Sequence, residues 1–133
     1  MLVNGSITPA MHEAGCMFRT QFRAARSLGA TPPRAFDWLQ GKAMVLDSFS
    51  DLGGEFADRA GRFFDNPWID GRARPGKQSG AYAHPVTANR HPYVFLNWMG
   101  ERRDVLTLAH ELGHGVHQTL AADQGTLLAD TPL

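Results

Sequence analysis

The sequence predicts a mainly α-helical fold with a small β-sheet. Apolar residues recur at helical spacing in several stretches, each bounded by proline, glycine or a helix-capping residue. A single stretch, Pro92 to Trp98, is instead rich in aromatic and branched residues and is closed by Gly100, which is the signature of a strand.

Taken in order, Met1 to Ile7 is expected to fray. Thr8-Pro9 reads as an N-cap followed by proline at the first helical position, and a helix continues through Met11, Phe18, Phe22 and Leu28 to Gly29. Arg19, Arg23 and Arg26 line one side of it and read as a solvated face. His12 adjoins Glu13 but has no partner at ligand spacing. Thr31-Pro32-Pro33 then breaks the chain.

Ala35 to Leu52 carries Phe36, Trp38, Leu39, Met44, Val45, Leu46 and Phe49 and predicts a helix with a weak point at Gly41. Leu52, Phe56, Ala60, Phe63 and Phe64 predict the next helix, ended by Asp65-Asn66-Pro67. The two are expected to form a scaffold. After Trp68-Ile69-Asp70, residues Gly71 to Gly80 read as a basic, glycine-rich loop with Arg72, Arg74 and Lys77, whose spacing is not that of a phosphate-binding P-loop. Gly80-Ala81-Tyr82 reads as a short strand or strand edge. For the strand at Pro92 to Trp98 two roles stay open: pairing with an extended peptide, or an internal place in a small antiparallel sheet.

Asp104 to Ala122 predicts the last helix, and it contains His110-Glu111-Leu112-Gly113-His114, an H-E-x-x-H pattern. At about 100° per residue, Leu108, Ala109, Leu112, Val116 and Leu120 gather on one arc, with His110, His114 and His117 opposite. Two imidazoles one turn apart can meet one Zn2+ ion, while Glu111 stands where a carboxylate can act on a water without occupying the metal. This is the chemistry of a zinc-dependent peptidase, with His110 and His114 as metal ligands and Glu111 as the catalytic base. Gly113 and Gly115 either mark close approach of another segment or weaken the helix locally.

With 133 residues and 43% hydrophobic content the chain can build one modest core. Thirteen basic and thirteen acidic residues cancel, so bulk charge gives no support to nucleic-acid or membrane binding. No apolar run is long enough to span a bilayer, and the N-terminus lacks a secretory signal pattern. Cys16 is the single cysteine, which agrees with a reducing compartment; a cytoplasmic protein is expected. There is no internal repeat and no low-complexity segment.

A wider set of residues carries a resemblance: Phe63-Phe64-Asp65 with Trp68-Ile69-Asp70, Arg74-Pro75-Gly76-Lys77 with Gly80-Ala81-Tyr82, His91-Pro92-Tyr93-Val94, and Asp104 through His117. Together they resemble the oligoendopeptidase F and thimet oligopeptidase family of zinc metallopeptidases, closer to the oligoendopeptidase F branch, over Val45 to Leu133. The resemblance implies a mostly helical, zincin-like catalytic domain with a small sheet beside the zinc site, cleaving short peptides in the cytoplasm. It implies His110 and His114 as zinc ligands, Glu111 as the base, and a third ligand contributed by a glutamate on a following helix. Family members are several times longer, so residues 45–133 are expected to be a partial zinc-metallopeptidase catalytic domain; residues 1–44 match less distinctly and are expected to be a helical lead-in, which would suit that fold.

Within the chain, His117, Glu101, Asp123 and Asp130 are the remaining candidates for a third ligand, and none has a compelling spacing; a supporting role beside the ligands suits His117 better. Three readings follow: a piece of a zinc endopeptidase, a catalytically inactive fragment acting as a structural or interaction module, or a minimal metalloprotein that recruits its third ligand. A piece of a larger domain is also expected to expose apolar surface and self-associate.

Overall fold

The structure, a computed structural model, describes residues 35–125 and 129. The expected helix over Thr8 to Gly29, with His12 and Cys16, and the candidate ligand Asp130 lie outside the described residues. Three helices and three strands follow in the order α1, α2, β1, β2, β3, α3.

Helix α1 spans Trp38–Leu52. Asp37 starts it with a capping box: its Oδ1 accepts the Gln40 N–H at 2.7 Å, and Gln40 Oε1 accepts the Asp37 N–H at 3.1 Å. The helix is continuous through Gly41, which corrects the expected weak point. Gly41 is buried against the Trp98 ring, and a β-carbon there would collide with the indole. The residue is needed for close approach rather than tolerated as a flaw. Helix α2 spans Gly54–Asp65 and ends where Asn66 donates from its side-chain amide to the Arg62 carbonyl at 2.8 Å, just before Pro67. Trp38 joins the helices to the sheet, meeting Phe64 at 6.0 Å and Trp98 edge-on at 5.3 Å between ring centroids. The boundary expected between residues 44 and 45 falls inside α1.

Strands β1 (Ile69–Arg72), β2 (Tyr82–His84) and β3 (Tyr93–Trp98) form a sheet of order β1-β3-β2. β3 pairs in parallel with β1 and antiparallel with β2, so it is the central strand of a mixed sheet. Both open roles for β3 are thereby revised: its two edges are already paired, which leaves none for an extended peptide, and the sheet is not purely antiparallel. The reason lies in Gly71 and Arg72, which extend β1 instead of opening the loop; Gly71 is buried beneath the Trp38 ring. Val94 and Leu96 point into the core, while Tyr82 and Phe95 stack on the other face with centroids 4.8 Å apart.

The basic loop after β1 turns inward. The Lys77 ammonium, on a side chain only 1% exposed, donates to the carbonyls of Asp70 (2.8 Å), Arg72 (3.1 Å) and Leu96 (2.7 Å) and to Asp70 Oδ1 (3.0 Å). It covers the irregular step in β1–β3 pairing between Asp70 and Arg72. Arg74 grips Asp70 with both guanidinium nitrogens, at 2.8 and 2.9 Å.

Helix α3 spans Arg102–Ala122. It buries Val105, Leu108, Ala109, Leu112 and Val116 as expected for an apolar arc, but Leu120 is only half-buried, and the covered face extends to Asp104, Glu111, Gly115 and Gln118. At Gly115 the backbone comes so near its neighbours that a β-carbon would lie 2.8 Å from Phe63 Cζ and 3.4 Å from Val94 Cγ2. Gly113 has nothing within 4 Å of the same position. Of the two glycines, then, only Gly115 marks close approach. No helix among the described residues is long and apolar enough to cross a membrane.

This difference generates a paired expectation. Gly115→Ala overpacks the core and should cost about 1–3 kcal/mol, whereas Gly113→Ala gains helix propensity without a clash and should add up to about 1 kcal/mol; urea denaturation of the two variants checks both signs. Lys77→Met keeps the stem but strands buried carbonyls, for an expected loss of about 1–3 kcal/mol at pH 7. Arg74 and then Lys77 hold the Asp70 carboxyl well below the usual carboxylate range. Its stabilisation is therefore present above the ordinary value of 3.8 and is lost as pH falls toward the lower folded value. Because the Asp70 side chain is 41% exposed, solvent screening keeps that contribution small. The gap in urea midpoint between wild type and Asp70→Asn should shrink from about pH 5 to about pH 3.

Candidate metal centre

The buried face of α3 decides where its polar residues emerge. Asp104, itself buried, fixes the start of the helix by accepting the N–H groups of Met99 (2.7 Å) and Glu101 (3.0 Å) at its Oδ2, which ties α3 to the end of β3. From that anchor, His110 and His114 come out on the exposed side, one turn apart. Their Nε2 atoms lie 3.1 Å apart and their rings meet edge-on, with centroids at 4.7 Å and planes at 90°.

The separation fits a shared metal ion. Two nitrogens bound to tetrahedral zinc at about 2.0–2.1 Å stand about 3.3 Å from each other. Burial, then the neighbouring His110, hold the His114 imidazole below its ordinary value of 6.5, with the Glu111 carboxylate opposing and His117 adding to the depression. A neutral ring is the form in which histidine binds a metal. Glu111 is 9% exposed and sits on the flank of α3 between the covered face and the two histidines.

The expected third ligands fare differently. His117 is half-buried and close enough to the pair to act on the charge of His114. Asp123 is engaged elsewhere, accepting Arg59 at 2.9 Å. Glu101 stands at the N-cap, more than two turns before His110. Among the described residues no three His, Cys, Asp or Glu side chains converge to hold a metal. The donor set present here is thus two imidazoles.

Sequence reasoning missed the part played by Asp104. Its signal was available: an acidic residue three positions after Glu101, at the head of the apolar period, is where a side chain can reach back to free N–H groups. It also missed the face-to-face stack of Trp68 on His91, with centroids 4.0 Å apart and planes 7° from parallel. Twenty-three positions separate those two residues, and no local period links them.

The chain resembles known proteins both in sequence and in structure. It is 31% identical over 99 residues to chromosomal oligoendopeptidase F of Lactococcus lactis subsp. cremoris, covering 74% of this chain and 16% of that protein. It is 33% identical over 78 residues to oligopeptidase PepF of Bacillus subtilis, covering 59% of this chain and 12% of the relative. The chain therefore spans less than a fifth of the length of the curated relatives it matches. A crystal structure of a presumed peptidase from Chlamydophila abortus shares its fold, with a TM-score of 0.70 at 23% identity over 93% of this chain and 23% of that one. The profile of peptidase family M3 matches residues 54–132, more than half of the chain and the whole of α2, the sheet and α3. The chain belongs to peptidase family M3.

Proposed function

We propose that this chain carries the catalytic helix of a zinc-dependent endopeptidase acting on short peptides. The observation that carries the reading is the 3.1 Å separation of the His110 and His114 Nε2 atoms on one exposed helix face, with Glu111 beside them. The relatives named as an oligoendopeptidase and an oligopeptidase support the substrate class. The single cysteine of the sequence supports a reducing, cytoplasmic location.

His110 and His114 would hold the zinc through Nε2. When bound, zinc supplies Lewis acidity, polarising a peptide carbonyl and making a water acidic enough to attack it at neutral pH. Glu111 takes the proton of the attacking water on its carboxylate and delivers it to the leaving amine nitrogen. Its burial suits that work, because few solvent molecules compete for the proton. Among the described residues no third carboxylate or imidazole joins the pair. This same shortfall favours a second reading, in which the 133-residue chain alone is catalytically inactive and serves as a structural or interaction piece.

Zinc titration of the metal-stripped chain tests the assignment. One-to-one binding is expected, weakened at least about 10-fold by either His110→Ala or His114→Ala. Glu111→Gln should keep the zinc affinity and abolish any metal-dependent cleavage of a quenched peptide. Unchanged affinity in both histidine variants would reject the site; turnover that survives Glu111→Gln would reject the base.

A further inference from the structure

Away from the histidine pair, the far end of α3 borders an open cavity of about 210 Å³. Its lining includes three arginines, Arg59, Arg62 and Arg90, with a single acidic residue, Asp123. Those charges are not all available. Arg59 is already paired, donating from Nη2 to Asp123 at 2.9 Å and to Glu55 at 3.1 Å, and the pairing with Asp123 and Glu55 raises its pKa. Asp123 is accordingly neutralised from its own side. Arg62, on α2, and Arg90, in the segment before β3, have no ion-pair partner among the described residues.

Two guanidiniums without an ion-pair partner among the described residues thus come from separate elements to line one concavity. The wall beside them is partly aromatic. His91 stacks on Trp68 at 4.0 Å, and Phe63 braces the other ring edge-on at 5.5 Å. A guanidinium fork matches planar or tetrahedral oxyanions. The cavity is also separate from the histidines: Thr119, which lines it, lies five residues beyond His114, roughly 7.5 Å along the helix.

We propose that this cavity binds a compact oxyanion, a phosphate or a carboxylate, between Arg62 and Arg90 against the Trp68–His91 wall. The site is independent of the metal centre, so its test uses the metal-stripped chain. Inorganic phosphate is titrated calorimetrically at constant ionic strength against chloride, with saturable one-to-one binding expected. The double variant Arg62→Gln/Arg90→Gln should weaken it at least 10-fold, and Arg72→Gln, an exposed arginine outside the cavity, should leave it unchanged. Both arginines of the double variant are exposed, so an unaltered urea midpoint shows that the fold is kept. Acetylalanine and its amide, run as separate titrants, tell a carboxylate source from a phosphate source; whichever anion binds, its binding is lost with the two arginines. A response that never saturates, or that is the same in the double variant, overturns the site.

Discussion

The packing of α3 onto Phe63 and Val94 at Gly115 is the contact on which the rest of the architecture depends. A helix turns about 100° per residue, so fixing one position against the core fixes the azimuth of all the others. With Gly115 facing inward, Glu111 falls about 40° from the contact direction, and His114 and His110 about 100° and 140° away. The carboxylate is thus nearly covered while the imidazoles reach solvent, from a single geometric choice. A larger residue at 115 would lift the helix or rotate it, and either movement changes what the motif presents.

Polar groups inside the fold are handled by the same economy. Asp104 meets two free N–H groups where β3 gives way to α3, and Lys77 meets three strand carbonyls where the β1–β3 register slips. Each places one charged side chain over several backbone groups that burial would otherwise leave costly. The sheet and the helix that bears the histidines are therefore joined by hydrogen bonds as well as by apolar packing. The motif rests on a frame whose two irregular joints are both closed.

How far the sequence spoke depended on the range of the interaction. The helices at Trp38–Leu52, Gly54–Asp65 and Arg102–Ala122 were legible because their period, caps and breaks are local, and so was the strand ending at Trp98. The histidine pair was legible for the same reason, since spacing of i and i+4 on a helix is itself a statement of proximity. β1 was not, because Gly71 becomes a strand residue only when Trp38 closes over it from more than thirty positions away. Gly41 was misjudged on propensity alone, which ignores the Trp98 ring lying against it. Lys77 was legible only as one basic residue of a glycine-rich loop, because the Leu96 carbonyl that completes its cage lies nineteen positions away.

That buried ammonium has a practical corollary. The sequence contains just two lysines, Lys42 and Lys77. Lys42 keeps part of its side chain in solvent beside Asp65, while Lys77 is sealed under the strands. Of the two lysines, amine-reactive labelling of the native chain should consequently modify Lys42, and Lys77 should become modified only when the sheet opens. The residue is a built-in clock for sheet opening, readable by mass spectrometry without any engineered probe.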